Sequence, residues 1–178
     1  LSALSQTRTW SGLGKRLRRP RALEGDIKRV SDSPERRLQA QAYDYVLGTP
    51  LLFNSTRSRS VLARMVVLAK TLQDGRLRAA ALLHHGMLLA EFEPSQAQRY
   101  GREVLEHARG LYEAQGLRAG QARTLIALGQ LERRLGKYEE AAEAFGRARQ
   151  LCERIYDEDP MLHATVLWQG ALLELDRG

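Results

Sequence analysis

The feature that most constrains this chain is the spacing of small and bulky residues between Ala122 and Arg154. Leu125, Leu128, Gly129 and Leu135 recur at helical intervals, and Gly136 then breaks the helix. Beyond it Tyr138, Ala141, Phe145, Ala148 and Leu151 fall on one stripe, three or four residues apart. Two amphipathic helices joined by so short a turn must pack antiparallel. Gly129 and Ala141 are small where the helices approach most closely, and Phe145 fills the space between them.

Residues Leu128-Gly129, Gly136, Tyr138, Ala141, Phe145 and Ala148 resemble the tetratricopeptide repeat position for position. Two positions depart from that family. Glu132 stands where an aromatic is usual, and the closing proline is delayed to Pro160. The delay implies a longer second helix, similar to the repeats of kinesin light chains and of many bacterial regulators. The resemblance implies an all-α, right-handed solenoid of antiparallel helix pairs that binds a protein or peptide on its concave face.

The spacing recurs. Gly101, Leu105, Ala108 and Leu111 precede Ala141, Phe145, Ala148 and Leu151 by 40 residues each, and Gly86 precedes Gly129 by 43. Met65, Ala69 and Leu72 stand 39 or 40 before Leu105, Ala108 and Leu111. A period near 40 is the mark of stacked helix pairs. The expected pairs span about 34–75, 77–116 and 118–157, followed by a lone helix over 160–176. Ser33-Pro34-Glu35 opens the first, running to Val46 or Leu47. A second helix is expected from about Arg57 to Gln73, with Val61, Met65, Leu68, Ala69 and Leu72 inward and Asp74-Gly75 as its end. The next runs from Leu77 to Phe92. Asp159 caps the last, and Gly170, 41 residues after Gly129, takes that glycine's place in a fourth repeat. This lone helix either caps the stack or belongs to a longer array.

Charge divides the chain. Residues 1–70 carry a balance of +9 and residues 71–178 one of −2. Lys15, Arg16, Arg18, Arg19 and Arg21 cluster in an acid-free run that reads as a flexible or weakly helical arm over residues 1–31, ahead of a repeat domain over 32–178. Three readings of the arm stay open: a solvated tail, a nucleic-acid or anionic-surface contact through phosphates, and a mitochondrial presequence. The single Cys152 can form no internal disulfide, so a reducing compartment is expected, the cytoplasm or alternatively the mitochondrial matrix. No apolar run approaches the ~18 residues of a membrane span.

The sequence offers no catalytic, cofactor or metal constellation. Adjacent His84 and His85 point about 100° apart on a helix and cannot chelate one ion. Gly12-Leu13-Gly14-Lys15 lacks the spacing and the following Ser or Thr of a phosphate loop. Cys152 reads as a packing residue. A binding surface, and no enzyme, is therefore expected. In the resembling family the first helix of each pair lines the groove. The corresponding stripe is Arg123, Ile126, Gln130 and Arg133, flanked by Ala80, Leu83, Met87 and Ala90 before it and by Ala164, Leu167, Ala171 and Glu174 after it. Leu83, Met87, Arg123, Ile126, Gln130, Arg133 and Leu167 are the expected peptide contacts. The stripes hold no Asn, so the carboxylate clamp of chaperone-binding members is not expected. A regulatory module of a larger signalling or transcription protein is the alternative role, and self-association is a further possibility.

Overall fold

The computed structural model describes residues 33–48, 61–62, 64–68, 74–92, 95 and 97–178. The basic arm, the Thr49-Pro50 loop and the expected inward positions Ala69 and Leu72 lie outside them. All regular structure among the described residues is helical, and no strand occurs there. None of their helices is long and apolar enough to cross a membrane. The chain divides into two compact units, residues 1–73 and 74–178.

In the first unit α1 spans Pro34–Gly48. Ser33 opens it by accepting the Arg36 N–H at 3.4 Å, with Glu35 in the positive first turn. Residues 61–62 and 64–68 are also helical, with Leu62, Met65 and Val66 buried.

The second unit holds five helices: α2 (Gly75–Phe92), α3 (Arg102–Ala114), α4 (Arg118–Arg134), α5 (Tyr138–Glu153) and α6 (Pro160–Arg177). A π-helical turn, Ala97–Gly101, leads into α3. Asp74 lies immediately before α2. Its carboxylate accepts the N–H groups of Arg76 and Leu77 at 2.9 and 3.1 Å, so it caps α2. Asp159 caps α6 in the same way, accepting from Leu162 N–H at 3.1 Å, with Pro160 in the first turn.

Within the second unit each helix packs on its successor, and α4 also touches α2 on one side and α6 on the other. The turns after α3 and α4 are built alike. Gly116 and Gly136 sit at φ 67° and 73°. Leu117 N–H reaches back to the Tyr112 carbonyl at 3.0 Å, and Lys137 N–H to that of Glu132 at 2.9 Å. This double closure of the last turn needs a left-handed residue, which glycine adopts without strain.

The helix pairs also share their closest contact. A Cβ added to Gly129 would overlap the Phe145 ring, and one added to Gly86 would overlap the Leu105 side chain. Each glycine is thus a seat for the bulky residue of the following helix. Burial follows the same register. Ala79, Leu82, Leu83 and Gly86 of α2 are buried, as are Ala122, Leu125, Ile126 and Gly129, each 43 residues later.

α6 follows with a shift of 42, and not with the 41 that the Gly129–Gly170 spacing suggests. The helix ends set the shift: Leu117 and Asp159 are the N-caps of α4 and α6, and the left-handed Gly136 and Gly178 follow those helices, each 42 residues apart. Ala171 therefore takes the place of Gly129. Gly170 falls one position away, and a Cβ there would meet nothing within 4 Å.

The two glycines respond oppositely to alanine. Gly129→Ala forces a methyl into the Phe145 ring, an overpacking cost of about 1–3 kcal/mol that outweighs a helix-propensity gain of up to ~1 kcal/mol. Gly170→Ala gains propensity with no clash and raises stability by up to ~1 kcal/mol. Chemical denaturation of the two variants checks both signs, and a stabilised Gly129→Ala would contradict the packing described.

Candidate functional site

The residues expected to contact a peptide occupy three helices, α2, α4 and α6, brought side by side through α4. Leu83 and Ile126 are buried and offer a partner little side-chain area. Met87, Gln130 and Arg133 are half-buried, while Arg123 and Leu167 are exposed. The 42-residue shift changes the place of Leu167. It corresponds to Leu125, on the side of α4 that faces the following helix, and Trp168 takes the place that corresponds to Ile126.

Both arginines of the stripe are tied to α6. Arg123 donates to the Asp159 carboxylate at 2.9 Å, and Arg133 to that of Asp176 at 3.1 Å. Asp159 therefore caps α6 with one oxygen and holds α4 with the other. The Arg133 Nε–H is buried and has no hydrogen-bond partner. On the opposite flank Arg134 donates to the Ala90 carbonyl at 3.1 Å and pairs with Glu91, which joins α4 to α2. A row of charge pairs thus pins the three helices edge to edge.

A second cluster lies between α3, α4 and α5. Glu132 is 1% exposed. Its Oε1 accepts from Arg102 Nε at 2.8 Å, and its Oε2 lies 3.7 Å from Lys137 Nζ. The acid that replaces the usual aromatic thus binds a cation from the helix before it and one from the turn after it. Beside it is a cleft of about 60 Å³, lined by Arg102, Glu106, Glu140, Glu143 and Arg147 among others. Among the described residues no group of three His, Cys, Asp or Glu side chains could hold a metal ion.

His84 and His85 are both buried in α2. Burial lowers the His85 pKa from 6.5 to about 4, so its imidazole is neutral at pH 7. Cys152 is fully buried in α5. Burial raises its thiol pKa, and the nearby Asp159 and Glu153 carboxylates push the same way. A thiol kept protonated and enclosed is neither a nucleophile nor a ready metal ligand. Arg99 lies over the Tyr100 ring at 5.2 Å in the π-helical turn, and Tyr156 meets His163 edge-on at 5.4 Å.

Sequence reasoning missed the outer face of α6. Met161, Trp168 and Leu175 are 72%, 62% and 76% exposed, and Leu167 lies beside them, half uncovered. Its signal was present, since α6 is apolar around nearly its whole circumference. That pattern belongs to a helix covered on all sides. No family model, no curated protein and no solved structure matches this chain.

Two stability tests follow from the buried groups. Glu132→Ala opens a buried gap and removes the acid shared by Arg102 and Lys137, which are both about half exposed and stay solvated, so it costs about 1–3 kcal/mol, whereas Glu132→Leu refills the space with an apolar side chain and costs less. Denaturant melts of both variants distinguish a structural acid from a surface one. For His85 the folded pKa lies below the unfolded value. As pH falls from 6.5 to 4 the unfolded chain takes up a proton that the folded chain refuses. Stability therefore declines through that window, by up to ~3 kcal/mol. His85→Leu removes this part of the acid sensitivity, and an unchanged melting-temperature profile between pH 7 and 4 would contradict it.

Proposed function

We propose that this chain is a tetratricopeptide-like repeat module whose role is to bind a protein or peptide, without catalysis. α2/α3 and α4/α5 are two successive repeats, α6 is the first helix of another, and the stack forms a right-handed solenoid. The observation that carries the reading is the repeated seat, Leu105 on Gly86 and Phe145 on Gly129, within helices 43 and 40 residues apart. Left-handed glycines close the turn between the two pairs, at Gly116, and the turn inside the second, at Gly136. The contact of α4 with both α2 and α6 supports the reading too, because it sets first helices side by side as a groove requires.

The partner surface is the exposed edge of that row: Met87, Arg123, Gln130, Arg133 and Trp168. Its polar centre and apolar ends suit a peptide with an apolar anchor next to an acidic or carbonyl-rich segment. Met87 supplies an adaptable apolar contact. Arg123 and Arg133 also hold α6, so reversing their charges would disturb the fold as well as the surface.

The cleaner test changes Met87 and Gln130. Peptides selected from a random display library against the wild-type chain should carry an apolar residue beside acidic ones. They should bind the Met87→Glu/Gln130→Glu variant at least tenfold more weakly, which is over about 1.4 kcal/mol, with an unchanged circular dichroism spectrum. Equal affinity for the variant would remove the groove as the binding surface.

A further inference from the structure

We infer that Asp159 and Asp176 are internal ligands of the groove: their carboxylates occupy Arg123 and Arg133, and an acidic partner segment binds by taking their place. This exchange rests on the proposed groove and adds what restrains that surface and what its partner must carry.

Arg123 and Arg133 are the two cations of the expected stripe, and each is held by a carboxylate at one end of α6. Arg123 Nη2 donates to Asp159 Oδ2 at 2.9 Å, and Arg133 Nη1 to Asp176 Oδ2 at 3.1 Å. The polar centre of the groove is therefore charge-balanced before a partner arrives, and it attracts an acidic chain only weakly from a distance. Both pairs are open to exchange. The Arg123 side chain is 58% exposed and has donors to spare, so a second carboxylate can approach it while Asp159 is still in place. In the other pair the arginine is the enclosed member and Asp176 the open one, at 45%. Asp176 lies in the last turn of α6 and swings away to uncover Arg133.

Release costs little. An exposed ion pair adds little to stability, because water solvates both charges once they part. α6 stays docked without the pairs, since Leu162, Val166 and Leu173 bury its inner side. Asp159 also keeps its other role through the exchange. Its Oδ1 accepts the Leu162 N–H at 3.1 Å, and that cap does not depend on the oxygen that holds Arg123. The arginines can thus change partners while the helix that carries the acids remains in place.

The spacing of the arginines states what the partner must carry. Arg123 and Arg133 stand ten residues apart on one helix, about 15 Å along its axis. An extended peptide rises about 3.3 Å per residue and presents the same face at every second residue. Carboxylates about four residues apart therefore reach both arginines from one side. The partner segment is an extended one with two acidic residues at that spacing, next to the apolar anchor.

Asp159→Asn/Asp176→Asn removes both internal carboxylates. Asparagine caps a helix as well as aspartate does, so α6 keeps its start, and thermal melts check that the fold is retained. Random peptide libraries are selected in parallel on the wild-type chain and on this variant. Each leading peptide is then titrated in its acidic form and with its acids changed to amides, at low and at high salt. The variant should enrich acidic pairs at the stated spacing and bind the acidic peptide about threefold or more tightly than the wild type does. Salt should weaken that peptide far more on the variant than on the wild type, because the arginines there are uncompensated. The amide form should bind both chains alike. Glu113→Gln/Glu153→Gln removes two exposed acids from ion pairs within α3 and α5 and should leave every affinity unchanged. An acidic peptide held equally by wild type and Asp159→Asn/Asp176→Asn would overturn the exchange. So would selections in which neither chain enriches acidic residues, or an equal gain from Glu113→Gln/Glu153→Gln, which is an effect of net charge alone. Binding that survives Met87→Glu/Gln130→Glu removes the groove itself, and the exchange with it. Binding lost in that variant yet indifferent to Asp159→Asn/Asp176→Asn removes the exchange alone.

Discussion

The contact between Phe145 and Gly129 sets the distance between α4 and α5, and the rest of the described packing depends on that distance. A helix pair can close this tightly only where one partner has no side chain. Closing it buries Ala141 and Ala148 as well as the phenylalanine. The same solution recurs at Gly86 and Leu105. With two pairs fixed in this way, neighbouring first helices come close enough for charge pairs to span them. Arg134 reaches Glu91, Arg123 reaches Asp159, and Arg133 reaches Asp176. Exposed pairs of this kind contribute little stability singly. Their effect here is to fix the edge-to-edge order of α2, α4 and α6. The buried Glu132 differs: it is fully desolvated and shared between Arg102 and Lys137, so removing it also opens a buried gap.

Much of this was legible in the sequence, because the informative relations are local. Gly129, Gly136, Tyr138, Ala141 and Phe145 lie within 17 residues, and the step from glycine to bulky residue is set by helical periodicity alone. The helical class, the antiparallel α4/α5 pair and the cap at Asp159 follow from those short-range rules. What was not legible depends on which way a face turns. Gly170 was assigned the seat because it is a glycine, yet the 42-residue step between the N-caps Leu117 and Asp159 puts Ala171 there. The arginines of the stripe read as free charges because their partners stand 36 and 43 residues away. Only the packing of first helix on first helix brings them together.

The candidate surface has its cause in the same packing. A helix pair turns one side of its first helix inward and leaves the edge of that helix as a surface, which is the groove proposed for Met87, Gln130 and Trp168. α6 extends that row, with Trp168 exposed on it. The groove reading rests on the glycine seat, which is open to a thermodynamic double-mutant cycle with Gly129→Ala and Phe145→Ala. In the wild-type background Gly129→Ala destabilises. With Phe145 removed, the added methyl enters the space left by the ring, and the same substitution becomes neutral or stabilising. The account predicts a coupling energy of about 1–3 kcal/mol between the two sites. Additive effects, with Gly129→Ala equally costly in both backgrounds, would contradict it.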